Sequence, residues 1–288
     1  MKELGVWVRK YPDLYAGNSF LQYLSRGTND PVRLSHYLKN SADLQNSHAR
    51  LEAVKAFASL LSKDAFITNA RTNIMRISSR LIEISLRDID TNVRINALKA
   101  LALLDKTGVL QDEDDDQRNR VVRVVFDQEP RVRRAVGEFV KGLLAEKVEG
   151  LESTWSAVKG TKKKRGSKIS EKDMRTYLGW KALATMLVET YHELDSWEVG
   201  TSTAPSVPVS VSMGRATAAV EALRGSIEGL SDWHELVDYL LLDHSTGDQD
   251  MWLLEDEEED FMIQVLIACI RADAAEDVSL LYLLRMGG

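Results

Sequence analysis

Apolar residues recur along most of this chain at positions i, i+3, i+4 and i+7, which is the spacing of one face of an α-helix. Only five prolines occur in 288 residues, and runs of β-branched residues are few. Amphipathic helices joined by polar segments are therefore predicted almost throughout. The predicted fold class is all-α.

Three of the predicted helices repeat one another. They align without gaps as ARLEAVKAFASLL from Ala49, VRINALKALALL from Val93 and VRRAVGEFVKGLL from Val132. Their arginines, Arg50, Arg94 and Arg133, lie 44 and 39 residues apart, near the period of about 40–47 residues of HEAT and armadillo units. Because one unit cannot bury its own apolar face, neighbouring units must stack. The prediction is a HEAT-repeat α-solenoid of antiparallel helix pairs.

The turns before the second and third copies contain helix-start signals. The segment 88–92 supplies N-cap candidates, and the segment 127–130 supplies a capping side chain followed by a proline. Partner helices are predicted over 73–86 and 116–126. The acidic run 112–116 is interpreted as a solvated loop and cap, with a cation site as the alternative.

Composition shifts divide the chain further. HEAT repeats are predicted over 1–150, a basic flexible loop over 151–172, a helical segment over 173–199, a linker over 200–212 and further helical repeats over 213–288. The acidic run 255–260 is predicted to cap an apolar helix over 261–270.

Several classes of chemistry find no support in the sequence. The single cysteine, Cys269, lies in an apolar run and is predicted to be buried. The five histidines contain no His-x-x-x-His pair, and neither a phosphate loop nor a nucleophile elbow is present. No apolar run reaches the roughly 18 residues of a membrane span. We therefore expect a non-enzymatic protein with no cofactor, metal, membrane or small-molecule substrate, which acts by binding partners.

Basic residues cluster in two places although the net charge is −7. One group comprises Lys159, Lys162, Lys163, Lys164, Arg165, Lys168, Lys172 and Arg175. The other comprises Arg118, Arg120, Arg123, Arg131, Arg133 and Arg134. Such clusters are typical of sequence-independent binding to duplex phosphates, and the scarcity of aromatic residues near the lysines disfavours base stacking. A solvated segment or a nuclear-import signal remains the alternative for the lysine loop.

The N-terminal segment carries a family resemblance. ELGVWVRKYPDL from Glu3, followed by NSFLQYL from Asn18, resembles the signature of the stromalin conservative domain, here assigned to residues 1–86. That domain belongs to the HEAT-repeat subunit of cohesin, the stromal antigen family. The resemblance to fungal-type members continues through the repeats to the segment 230–245 and covers most of the chain.

The resemblance implies a scaffold subunit of cohesin in the nucleus, associated with chromosomes. Such a subunit binds the kleisin chain and duplex DNA, presents a surface to cohesin regulators and supports sister-chromatid cohesion. Leu21, Tyr23 and Arg26 are the candidates for the regulator or kleisin surface, although Ser25-Arg26-Gly27 stands where animal members have a tryptophan. An α-solenoid adaptor without DNA binding is the alternative. Because family members are far longer, an internal fragment or a truncated gene model is expected.

Residues 32–48 interrupt the pattern of the first repeat. Joining Asp30-Pro31 directly to Ala49-Arg50 restores the phrase seen in the other copies. The helix is therefore predicted to begin near Ala49, after a poorly ordered and functionally silent insert of 17 residues. A retained intron is one hypothesis for its origin, and a surface loop between helices is the other.

Overall fold

The computed structural model describes residues 6–7, 10, 42–61, 64–110, 115–161, 171–200, 214–242 and 251–286. Within these ranges the chain consists of helices and short turns, which confirms the all-α fold class. It divides into two compact units, Met1–Val124 (unit 1) and Val125–Gly288 (unit 2).

Unit 1 is built from helices of moderate length. They are α1 (Ala42–Leu60), α2 (Asp64–Arg87), α3 (Thr91–Lys106) and α4 (Asp115–Val122), and a 3₁₀ turn, Arg123–Phe126, follows them. Helix α3 packs against both α1 and α2, and α2 also packs against α4. Ala53 and Ala97, each three residues after a repeat arginine, are fully buried where these helices pack, and Ala100 is buried one turn further along α3.

Unit 2 contains three much longer helices. Its elements are α5 (Pro130–Thr161), α6 (Glu171–Gly200), α7 (Arg215–Leu223), a 3₁₀ turn at Glu228–Leu230, α8 (His234–Leu240) and α9 (Asp256–Met286). Helix α5 packs against α6 and α7, and α9 packs against the same two helices. Gly137 is required at the α5–α7 contact, because a Cβ there would lie 2.6 Å from the Ser226 Oγ and 3.0 Å from the Ala222 carbonyl oxygen.

The predicted helix starts of the second and third repeats are confirmed. The Asp90 carboxylate accepts hydrogen bonds from the backbone N–H groups of Asn92 (2.8 Å) and Val93 (3.3 Å) as the N-cap of α3. Pro130 is the first residue of α5. The two turns also match in detail: Asp88 Oδ1 accepts from Asp90 N–H, and Asp127 Oδ1 accepts from Glu129 N–H, each at 2.9 Å. The 39-residue register between these copies is therefore a structural repeat.

Three predicted boundaries are wrong. Helix α1 begins at Ala42, so residues 42–48 of the supposed insert are helical and Ser47 is buried; residues 32–41 lie outside the described ranges. Helix α5 continues to Thr161 because its apolar stripe extends through Val148 and Trp155, so much of the segment predicted as a basic loop is helix. The last helix, α9, begins at Asp256 instead of 261, so most of the acidic run forms its first turn. The run does cap the helix as predicted, because the Glu258 carboxylate accepts a hydrogen bond from the Glu255 backbone N–H at 2.8 Å.

Candidate interaction surfaces

Many of the predicted binding residues lie outside the described ranges. Among them are Leu21, Tyr23, Arg26, Lys162, Lys163, Lys164, Arg165 and Lys168. Lys159 lies in the last turns of α5. Arg131 and Arg134 are exposed on the first turns of α5, as binding to a large partner would require.

Arg133 does not belong with its exposed neighbours. Its side chain is 1% exposed and forms an ion pair with Glu221 of α7. The guanidinium also donates to the carbonyl oxygens of Asp127 (2.6 Å) and Gln128 (3.1 Å) in the preceding turn. If the Arg133 guanidinium turned outward to bind a phosphate, these buried acceptors would lose their hydrogen bonds. Its assignment to a DNA-binding surface was wrong, because it stabilises the turn and the α5–α7 contact.

The other repeat arginines are also structural. Arg50 forms a bidentate ion pair with Asp88 at 2.7 and 3.0 Å, and Arg94 donates to the Ser85 carbonyl oxygen at 2.8 Å. Arg118, from the second basic cluster, is buried in an ion pair with Asp105 at 3.0 Å. The sequence signal that marked the repeat register therefore identifies arginines that hold the turns and helix ends together, not a surface for phosphates.

The lysine-rich segment 162–170 connects the ends of two neighbouring helices. Helix α5 ends at Thr161, α6 begins at Glu171, and the two helices pack together. Lys172 and Arg175 are exposed near the start of α6, and Arg175 reaches Glu152 of α5 at 3.4 Å. Asp173 is the nearby exposed acid. We call this region, 159–175, the basic hairpin end.

An aromatic cluster lies below the basic hairpin end, and the sequence analysis missed it. Trp155 packs on Trp252 with ring centroids 5.0 Å apart, and Tyr177 stacks on Tyr239 at 5.6 Å. Trp155 precedes the end of α5 by six residues and Tyr177 follows the start of α6 by six, which places both about 9 Å from the helix ends. Because these four rings pack against one another, one pair stacked and the others tilted, they hold the helices together instead of presenting a platform for bases.

Buried polar groups fix this cluster and the adjoining helix. The Tyr239 hydroxyl donates to the Trp252 carbonyl oxygen at 2.5 Å, and burial, with a contribution from Glu258, raises the pKa of Tyr239. Burial alone would raise the pKa of Glu258. Hydrogen bonds from Lys181, Thr185 and the Glu255 backbone outweigh it, and the pKa of Glu258 is lowered. Glu258 is therefore a charged anchor between α6 and α9.

Burial raises the pKa of the Cys269 thiol to about 11, so this predicted core residue is an unreactive apolar group. Among the described residues, no group of three His, Cys, Asp or Glu side chains is placed to hold a metal ion. Over the same residues, no helix is both long and apolar enough to cross a membrane.

Comparison with known proteins finds several similar proteins, and three of them are named here. The chain is 26% identical over 155 residues to the cohesin subunit psc3 of Schizosaccharomyces pombe. It is 25% identical over 155 residues to sister-chromatid cohesion protein 3 of Arabidopsis thaliana, and 25% identical over 134 residues to the cohesin subunit SCC3 of Saccharomyces cerevisiae. No family model matches the chain.

These matches cover 54%, 54% and 45% of this chain, respectively. They span only 14%, 12% and 10% of the three relatives. The similarity therefore relates about half of this chain to a small part of each cohesin subunit.

Proposed function

We propose, from the similarity of this chain to stromalin-type subunits of cohesin, that it is a non-enzymatic scaffold that binds the kleisin subunit and duplex DNA. The observation that carries the proposal is the similarity to cohesin subunits of two yeasts and a plant. The paired helices support it, because stacked helical repeats offer the extended surface that a scaffold needs. Its place would be on chromosomes in the nucleus, in sister-chromatid cohesion.

Duplex DNA would bind at the basic hairpin end. Its lysine-rich segment 162–170 connects α5 to α6, two helices that pack together, and the aromatic cluster holds the neighbouring turns of these helices together. Lysine side chains on such a segment neutralise phosphates without reading bases, which makes binding independent of sequence and sensitive to salt. Arg131 and Arg134 are exposed at the opposite end of α5, about 40 Å from the hairpin end, so they form a second, separate proposed contact for a duplex that extends that far.

The test of the DNA contact is a charge reversal at the hairpin end. The variant K162E/K163E/K164E/R165E of the whole chain is titrated against a fluorescent duplex over a range of salt concentrations. Each lost phosphate contact lowers the slope of log K against log salt by about 0.9. We expect binding to weaken about tenfold or more at low salt, where such contacts act most strongly.

The matched control reverses four cations in unit 1. Arg71, Arg87, Lys99 and Lys106 are all exposed there, so R71E/R87E/K99E/K106E changes the net charge equally without touching the hairpin. Equal loss of affinity in both variants would mean that net charge governs binding, and the hairpin would lose its assignment.

Kleisin binding is tested by co-purification of the chain with overlapping segments of the kleisin from the same genome. Capture of one segment at equal stoichiometry supports the scaffold function. Failure to capture any segment, together with unchanged DNA affinity in the hairpin variant, would favour an α-solenoid adaptor of another assembly. The surface for regulators remains proposed at Leu21, Tyr23 and Arg26, from the sequence resemblance.

A further inference from the structure

Helix α9 has two apolar faces, and the part of the chain that the structure describes covers only one of them. Phe261, Val265 and Cys269 are buried on the face that packs against α6 and α7. On the opposite side Ile263, Ile267 and Ile270 are 40%, 43% and 42% exposed. Their spacing of four and three residues places them on one stripe, about half a turn away from Val265.

This stripe differs from the other described helix surfaces. On α3 the exposed face carries Lys99 and Lys106 with the single large apolar residue Leu103. The exposed first turns of α5 carry Arg131 and Arg134. Single exposed apolar residues need no explanation, whereas a contiguous group of three isoleucines is typical of an interaction site.

Charge is distributed unevenly along the stripe. Toward the N-terminus of α9 the same line of positions continues through Asp260 and Asp256, with Glu259 beside it, and all three side chains are exposed. No lysine or arginine occurs between residues 256 and 270, and Arg271 follows at the other end. The face therefore consists of an apolar centre with an acidic end.

We propose that this face docks an amphipathic helix from a partner protein, antiparallel to α9, with lysines or arginines in the last turn of the docked helix. Apolar residues at i, i+3 or i+4 and i+7 of that helix would cover the three isoleucines. In the antiparallel arrangement the basic last turn of the docked helix lies beside Asp256, Glu259 and Asp260. Positive side chains at that position also interact favourably with the negative end of the docked helix's own dipole.

The charges argue against two other occupants. A duplex would bring phosphates against the acidic end. A second copy of α9, packed antiparallel, would bring its segment 272–284 toward the acidic end, and that segment contains Asp273, Glu276 and Asp277 but no lysine or arginine. The inference goes beyond the proposed scaffold function, because it uses only α9 and depends on neither kleisin nor DNA binding.

The test uses two synthetic helical peptides of about three heptads with leucine at the a and d positions. One ends in a turn of lysines and its sibling ends in a turn of glutamates. Binding to the 288-residue chain is followed by fluorescence anisotropy. The variants are Ile267→Lys, Ile267→Ser and E259K/D260K, and Leu103→Ser removes an exposed apolar residue elsewhere as the control.

We expect the lysine-ended peptide to bind about tenfold more tightly than its sibling, and E259K/D260K to reverse that preference. Both substitutions at Ile267 should weaken binding about tenfold or more, as for a central anchor, while Leu103→Ser leaves it unchanged. Circular dichroism checks that each variant folds. Equal binding of both peptides, or unchanged binding by the well-folded Ile267→Ser variant, would overturn the proposal. Self-association of the chain that Ile267→Ser abolishes would overturn it too, in favour of a second copy.

Discussion

In unit 1 the side chains of Arg50 and Asp88 are 1% and 4% exposed and meet in a bidentate ion pair. In unit 2 the repeat arginine Arg133 likewise holds a turn, and further ion pairs join helices. Lys181–Glu258 joins α6 to α9, and Arg224–Asp273 joins the end of α7 to α9 and leaves both partners partly exposed. The pair in unit 1 connects a helix to the turn between two others. The further pairs of unit 2 connect helices that lie side by side.

This difference indicates that the ion pair in unit 1 fixes a turn, whereas the ion pairs between helices in unit 2 fix helix alignment. In unit 1 the turn at 88–90 sets the geometry of the repeat, and Asp88 holds it by binding Arg50 and the Asp90 N–H together. In unit 2 the long helices could slide along one another, and ion pairs between residues far apart in the sequence fix their alignment. Removal of one partner should therefore cost most where burial is deepest.

The largest effect is expected for Arg50→Ala. It leaves the Asp88 carboxylate buried without its cation, which typically costs about 3–5 kcal/mol. Urea unfolding measures the change. Five of the six tryptophans lie in unit 2, so circular dichroism should shift more than tryptophan fluorescence if unit 1 unfolds separately. A change below about 1 kcal/mol would show that the pair is not the centre of the repeat turn.

Sequence reasoning predicted the elements that depend on local signals. Periodicity identified the helices, and the cap at Asp90 and the proline at the start of α5 marked two helix starts correctly. Sequence reasoning failed where the environment of a side chain depends on residues that are distant in the sequence. Arg133 looked like a surface cation because Glu221, its partner, is 88 residues away. The aromatic cluster likewise joins residues from four separate segments, which no local pattern relates.

Glu258→Gln tests the alignment of α6 and α9 and should have the next largest effect. The variant keeps the shape but removes the charge held by Lys181 and Thr185, at a cost of about 1–3 kcal/mol near neutral pH. Unfolding is followed by tryptophan fluorescence over a range of pH values.

The pH dependence has a definite sign. Because the folded state lowers the pKa of Glu258 from 4.5, its contribution is fully present above the unfolded value and is lost as the pH falls through the folded one. The loss of stability on acidification should therefore be smaller in Glu258→Gln than in the parent chain. An identical slope in both proteins would contradict the assignment.

Gly137→Ala examines whether unit 2 also depends on close helix contact. The added Cβ would lie 2.6 Å from the Ser226 Oγ and 3.0 Å from a backbone oxygen, so overpacking of about 1–3 kcal/mol should exceed the gain in helix propensity of about 1 kcal/mol. Gly150 of the same helix is the matched control, since a Cβ there meets nothing within 4 Å. Gly150→Ala should stabilise the chain, and equal effects at both sites would argue against a tight α5–α7 contact.

The smallest effect on stability is expected for Arg175→Ala, because this ion pair is the most exposed of those compared. Arg175 is 61% exposed and lies 3.4 Å from Glu152, so solvent screens the pair and its loss should change stability by less than about 0.5 kcal/mol. Because Arg175 lies at the basic hairpin end, the affinity of the variant for duplex DNA is measured as well. If a phosphate contacts Arg175, the alanine variant binds duplex DNA more weakly and with a salt slope smaller by about 0.9. A loss of stability comparable to that of Arg50→Ala, without a change in the salt slope, would instead make Arg175 a structural arginine like those of the repeat turns.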